Sequence, residues 1–261
     1  MSNINIQLEK DIQSLDDFDK TIKECRDKLN KSKNKGYKTF FRGEANEKWK
    51  PKASIFRDDK IWPKEGELYN KVKECCPEFK NLTHFQALSK MQHYKLPTRL
   101  LDFTRDSHVA LYFACADESE KDGKILLFCT DALNETDEKV DSICKQAFDS
   151  SKKKISKEDK GKEAVEAYFV QGEPTSLRME VQKGLFLLVG CYGNEQSYCL
   201  TNEDGRGADY SGYCAVFPIK SCFKSKLLHE LEKKNITRDK IYPNLEDKLV
   251  EIKKQVCGRK Q

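Results

Sequence analysis

Between positions 91 and 104 the chain places His93, Tyr94, Thr98, Arg99, Asp102 and Thr104. An imidazole, a phenol, two hydroxyls, a guanidinium and a carboxylate this close together offer donors, acceptors and both charges to one small ligand. The apolar run Val109-Ala110-Leu111-Tyr112-Phe113-Ala114-Cys115-Ala116 follows at once. A polar cluster anchored on a buried element is held rigid. Two readings of the cluster stay open. Arg99 and Asp102 neutralise each other and pin the loop, while His93 and Tyr94 pack as aromatics. Alternatively the cluster is a preorganised pocket wall, in which Arg99 or Thr98 contacts an anionic ligand.

Two further groups have chemistry to offer. Arg42 follows the aromatic, β-branched run Tyr37-Lys38-Thr39-Phe40-Phe41, which reads as a strand ending at Gly43. A guanidinium at a strand end grips phosphate or carboxylate as a fork, or else pairs with the neighbouring Glu44. The third group is Leu177-Arg178-Met179-Glu180-Val181-Gln182-Lys183-Gly184-Leu185-Phe186. Read as a strand, its alternation puts Arg178, Glu180 and Gln182 on one face. There a Glu or Gln holds sugar hydroxyls or supports a developing cation; the plain alternative is an edge strand with a solvated face.

Other chemistries lack their signatures. No Gly-x-x-x-x-Gly-Lys, dinucleotide fingerprint, Gly-x-Ser-x-Gly or His-x-Glu with a cysteine pair is present. His84, His93, His108 and His229 have no ligand spacing, and the eleven cysteines include no Cys-x-x-Cys pair. A kinase, hydrolase or metalloenzyme is therefore not expected, nor is a metal. Cys191, Cys199 and Cys214 sit in apolar or aromatic company and read as small core residues. The net charge of +5 permits a nucleic-acid partner without requiring one. The opening Met-Ser-Asn-Ile-Asn-Ile-Gln has no signal-peptide pattern. No apolar run approaches the length of about 18 residues that a membrane span needs. With many free thiols, these features lead us to expect a cytoplasmic protein with no membrane partner.

The elements that must position these residues follow from periodicity. Phe18, Ile22, Cys25 and Leu29 make one helical stripe over 11–34. Helices are expected over 64–80, with Leu68, Val72 and Cys75 on one face, and over 81–92, with Leu82, Phe85, Leu88 and Met91. Pro97 blocks continuation into the cluster. Residues 107–117 read as a short buried helix. Strands are expected at 123–129, 168–170, 185–189 and 213–219. Residues 131–163, which include Ser150-Ser151-Lys152-Lys153-Lys154, are charged and read as a solvated or mobile insertion. A helix pair, 224–233 and 244–254, closes the chain. The whole reads as an α+β fold. It divides into a helical extension (1–36), a core (37–220, with 131–163 as the insertion) and a C-terminal helical pair (221–261) packing on that core.

The three clusters together resemble the FRG domain, a bacterial and phage module named for its Phe-Arg-Gly triplet, here Phe41-Arg42-Gly43. The longest similarity is Gln92-His93-Tyr94-x-Leu96-Pro97-Thr98-Arg99-Leu100-Leu101-Asp102-Phe103-Thr104 with Ala110-Leu111-Tyr112-Phe113-Ala114. The family usually carries Gly where Lys95 stands and Trp where Phe103 stands. Arg178 to Phe186 resembles its Arg-x-x-x-Gln-x-Gly-x-Phe segment, and the tail from Phe217-Pro218-Ile219 to Tyr242-Pro243-Asn244-Leu245 is similar as well. The resemblance spans roughly residues 37–250.

A remoter resemblance is to the Arg-Ser-Glu ADP-ribosyltransferases. Phe40-Phe41-Arg42-Gly43 looks like their aromatic-Arg-Gly strand, Leu101-Asp102-Phe103-Thr104 like their Ser-Thr-Ser strand, and Glu180-Val181-Gln182 falls where they carry Glu/Gln-x-Glu. This implies a single mixed domain with a central split β-sheet flanked by helices. It also implies NAD as substrate, with Arg42 and Gly43 at its phosphates. His93, Tyr94, Thr98, Arg99, Asp102, Thr104 and Arg178 would line the rest of the pocket, with Glu180 and Gln182 supporting bond cleavage. Gln182 stands where those enzymes have a catalytic Glu. The activity implied is transfer of ADP-ribose to a nucleic-acid or protein acceptor by a toxin or phage-defence effector, restrained by an antitoxin. The alternative is a non-catalytic module that binds a nucleotide or nucleic acid.

Overall fold

The computed structural model describes residues 11–31, 38–58, 60–149, 167–174, 176–190 and 213–243. The expectations for Cys191, Cys199, Ser150 to Lys154, the 244–254 helix and the side chains of Leu29 and Cys214 lie outside the described residues. In chain order the elements are α1 (Leu15–Lys31), β1 (Lys38–Glu44), α2 (Glu65–Cys75), α3 (His84–His93), β2 (Leu100–Thr104), α4 (Ser107–Cys115), β3 (Gly123–Thr130), β4 (Leu133–Asn134) and α5 (Glu138–Phe148). Then follow β5 (Ala167–Gln171), α6 (Leu177–Val181), β6 (Gly184–Val189), β7 (Tyr213–Ile219), α7 (Ser221–Lys233) and α8 (Arg238–Ile241).

Mixed α and β structure is present, as expected. The sheet is single and open rather than split: seven strands among the described residues run in the order β4-β5-β6-β2-β1-β3-β7. Neighbours are antiparallel except the β4–β5 pair. The sheet narrows at its middle. β1 matches β3 over seven register pairs, whereas β1 and β2 meet at one, Phe41 opposite Thr104.

Side-chain alternation sorts the core into three clusters. On one face, Phe41, Ile125, Leu127, Phe217 and Ile219 pack under α1, α4 and α7. On the same face across the β1–β2 seam, Leu100, Phe186, Leu188 and Val170 pack under α2, α3 and α5. Two helical roofs thus leave the seam between them. On the opposite face Phe40, Leu101, Phe103, Leu126, Phe128 and Leu187 are covered by short turns carrying Ala53, Ile55 and Phe56.

The stripe expected of the first helix is present, with Leu15, Phe18, Ile22 and Cys25 buried against that core. Two other expectations are corrected. Part of the charged insertion is core: Val140, Ile143, Cys144, Ala147 and Phe148 of α5 are buried. Average composition hid them, because an amphipathic helix mixes a charged and an apolar face. The segment after Ser176 is a helical turn and not a strand. The Ser176 hydroxyl accepts from the Met179 N–H at 3.2 Å, capping α6. Lys183, at φ 46°, ends it by donating from its N–H to the Glu180 carbonyl at 3.0 Å.

Gly43 lies within β1, not at its end. A Cβ there would fall 1.8 Å from the Ala110 carbonyl oxygen, so its absence lets α4 lie directly on the strand. Gly123 serves the same contact from β3, where a Cβ would fall 2.4 Å from the Ala114 oxygen.

Candidate functional site

Where β2 and β6 pass between the two helical roofs there is a cleft of about 80 Å³. Asp102 and Phe186, opposite each other in the β2–β6 register, lie among its lining. Gln92 and His93 approach from α3, and Arg178 and Gln182 from α6. At roughly 10–15 Å³ per water, the cleft takes a ring-sized group rather than a whole dinucleotide.

Asp102 is the exposed carboxylate of this cleft. Its Oδ1 accepts from Gln92 Nε2 at 3.1 Å. Gln92 is held in turn, since its Oε1 accepts from the Thr98 hydroxyl. On the main-chain side, Arg42 Nη1 donates to the Asp102 carbonyl at 2.9 Å, and Arg42 Nε donates to Glu44 Oε1 at 3.0 Å. Both readings of Arg42 therefore hold in part. It pairs with Glu44, and it also braces the strand that carries the cleft's carboxylate.

The structure distributes the remaining residues among different tasks. His93 is exposed and meets Tyr94 edge to face at 5.2 Å; Tyr94 is 61% exposed. Thr98 is buried and ties its neighbours together, its hydroxyl accepting from the Leu100 N–H at 3.2 Å and its own N–H donating to the Ser54 hydroxyl oxygen at 2.9 Å. Thr104 is buried and donates to the Gln182 carbonyl at 2.6 Å, which locks the end of β2 to the end of α6.

Arg99 does not line the cleft. It is fully buried and forked onto Glu65 at 2.6 and 2.5 Å. Beside this pair, burial pushes the Tyr69 hydroxyl far above its ordinary range, and that hydroxyl donates to the Pro97 carbonyl at 2.9 Å. The partner of Arg99 is thus Glu65, not Asp102. Asp102 is left to the cleft.

In α6 the helical turn separates residues that strand alternation would have aligned. Arg178 and Gln182, four apart, share a side, and both line the cleft. Arg178 also lies over the Tyr242 ring at 4.6 Å, and Gln182 Nε2 donates to the Ile241 carbonyl at 2.9 Å. Glu180 is exposed and does not line the cleft.

Ser89, Gln92, Ser176 and Arg57 were not singled out from the sequence. Gln92 was legible as part of the longest motif, four residues after Leu88 on a capped helix. Arg57 gave no signal beyond its charge. Partial burial lowers its pKa first, and then the charge of Arg42 lowers it further, while Glu44 and Asp102 act the other way.

A second, more open hollow lies beyond the Gln182–Lys183 turn, between α1 and the start of α4. Its charges are largely matched among themselves, His108 to Asp19 at 2.7 Å and Lys183 to Asp106 at 2.7 Å. Burial opposes ionisation of Asp106, yet the Lys183 ammonium and the His108 N–H hold its carboxyl below the usual range. The buried thiols are poor nucleophiles, since desolvation raises Cys25 to about 11 and Cys115 and Cys144 to about 12. No helix among the described residues is long and apolar enough to cross a membrane.

The fold and site define a mixed α/β domain with a polar cleft at the waist of one open sheet. Residues 37–123, from β1 to the start of β3, match the FRG domain model, and the chain carries an FRG domain. No curated protein and no solved structure matches the chain. The matched stretch supplies Gln92, His93 and Asp102; α6 and β6, which form the facing wall, lie beyond it.

Proposed function

We propose that the cleft receives the nicotinamide end of NAD and that the protein is an ADP-ribosyltransferase-like enzyme. The observation that carries this reading is Asp102, an exposed carboxylate at the waist of the sheet, oriented by Gln92 and braced through its carbonyl by Arg42. A fixed carboxylate stabilises positive charge developing beside it far better than mobile water does. The bond between the nicotinamide nitrogen and ribose C1′ breaks, and its electron pair leaves with nicotinamide. The cationic C1′ faces Asp102 until an acceptor hydroxyl or amine attacks and loses its proton. Gln182 and His93 contact the ribose and the leaving ring. Arg178, which lines the cleft, takes the diphosphate, and Arg42 holds the strand that carries Asp102. In a cell such an activity suits a toxin or phage-defence effector kept in check by an antitoxin.

The test is incubation of the purified chain with NAD and mixed nucleic-acid and protein acceptors, followed by mass spectrometry. Free nicotinamide with an ADP-ribose adduct supports transfer, and nicotinamide without an adduct points to hydrolysis. Asp102→Asn keeps the hydrogen bond from Gln92 and removes the charge; it should lower the rate on the order of 10²-fold or more. Glu180→Gln should leave the rate nearly unchanged.

A second reading is favoured by the position of Glu180 away from the cleft, which leaves the amide of Gln182 in its lining and no acid from that segment. On that reading the cleft binds a nucleotide without cleaving it. Saturable nucleotide binding with no nicotinamide release would select it.

A further inference from the structure

Between positions 48 and 64 the chain carries six cations, Lys48, Lys50, Lys52, Arg57, Lys60 and Lys64, against two anions, Asp58 and Asp59. The strap is built onto the sheet. Ala53, Ile55 and Phe56 are buried in the core, and the Ile55 N–H donates to the Thr98 carbonyl at 3.1 Å. Its leading end is pinned by Lys124, whose ammonium donates to the Glu47 and Trp49 carbonyls at 2.7 and 2.5 Å. The apolar positions therefore anchor the strap, while Lys48, Lys50, Arg57, Lys60 and Lys64 are exposed. Trp49, between two of these lysines, is 48% exposed.

We infer that this strap is a docking surface for single-stranded nucleic acid. Its lysines and Arg57 neutralise successive phosphates, and Trp49 stacks on an unpaired base. Charge complementarity selects a polyanion, since the sequence of the strap sets six cations against two carboxylates and its apolar residues Ala53, Ile55 and Phe56 are anchored in the core. The exposed indole selects a single strand, because a duplex keeps its base faces covered. The inference concerns binding alone, and binding is measured without NAD. A chain that binds a strand and leaves NAD intact keeps this surface and loses the transferase reading.

The experiment is fluorescence anisotropy with a labelled single-stranded oligonucleotide of mixed sequence, titrated with the full chain at several salt concentrations. If about four phosphates are neutralised, affinity should fall about 50-fold between 50 and 200 mM salt. Trp49→Ala should weaken binding on the order of tenfold. The triple variant Lys48→Ala, Lys50→Ala, Lys60→Ala should weaken it further and flatten the salt dependence. Lys233→Ala with Lys234→Ala, exposed on the far helix α7 and its end, should change nothing. All these positions are at the surface, and circular dichroism checks that each variant is folded. No binding at 50 mM salt, equal binding of a duplex, equal binding of polyacrylate, or binding indifferent to the strap variants would overturn the inference.

Discussion

Arg42 bonds to the backbone of Asp102, sixty residues away, where β1 and β2 separate after their one register pair. The guanidinium takes over from the ladder and donates where a strand N–H otherwise would. Its other branch neutralises Glu44, whose side chain is 3% exposed and has Lys124 at 3.6 Å on its second oxygen. Arg42→Ala should therefore cost stability as well as any activity at the cleft, by about 1–3 kcal/mol, since it leaves a buried carboxylate short of a partner. Urea denaturation measures this. Adding Glu44→Gln should recover part of the loss, and Arg42→Lys should not restore it, because an ammonium cannot serve both partners with a planar fork. Equal stability of the wild type and Arg42→Ala would remove the brace from the account.

Gly43 next to it has a different task. Its missing side chain is the space that the Ala110 carbonyl of α4 occupies. Gly43→Ala should push α4 off β1 and destabilise the fold by about 1–3 kcal/mol or more, with a matching fall in melting temperature. Gly123→Ala should act in the same direction, because it meets the same helix one turn further on. A variant as stable as the parent would mean that the strand and helix separate without cost.

These two residues show what was legible in the sequence. Phe41-Arg42-Gly43 stood out, but its spacing alone could not say that the aromatic fills the core, the guanidinium bridges a seam and the glycine admits a helix. α1 was readable because burial imposes its period over several turns, and α4 and β3 because each carries a nearly unbroken apolar run. The five-residue helix α6 was not. Five residues carry too little periodicity to separate a turn of helix from a strand, and its Ser176 cap and Lys183 stop were the signals to weigh. That error moved Glu180 toward the cleft. The partner of Arg99 was not visible either, because Glu65 lies thirty-four residues away and is brought to it only by the packing of α2.

The Arg99–Glu65 pair makes a sharp energetic prediction. Both side chains are essentially without solvent contact. Removing one charge strands the other, so Arg99→Met or Glu65→Leu alone should destabilise by about 3–5 kcal/mol. The double variant Arg99→Met, Glu65→Leu should lie closer to the wild type than either single change, since two apolar groups then share the site. A denaturation series on the four proteins gives the coupling energy. Additive losses would show that the pair is not coupled.

Lys95 holds a backbone conformation that few side chains tolerate. It ends α3 at φ 64°, with its N–H donating to the Gln92 carbonyl at 2.9 Å and the Leu96 N–H donating to the Met91 carbonyl at 3.0 Å. Those two bonds close the helix through a residue in the left-handed region, which suits glycine and costs any other residue about 1–2 kcal/mol. Lys95→Gly should relieve that strain at the price of a more flexible unfolded chain, for a net gain of about 0.5–1 kcal/mol. Thermal melting reads the gain directly. Lys95→Val should move the other way, since a β-branched side chain tolerates that backbone least. If Lys95→Gly melted below the parent, the lysine side chain would be holding the turn through contacts of its own, and the turn that carries Gln92 into the cleft would depend on them.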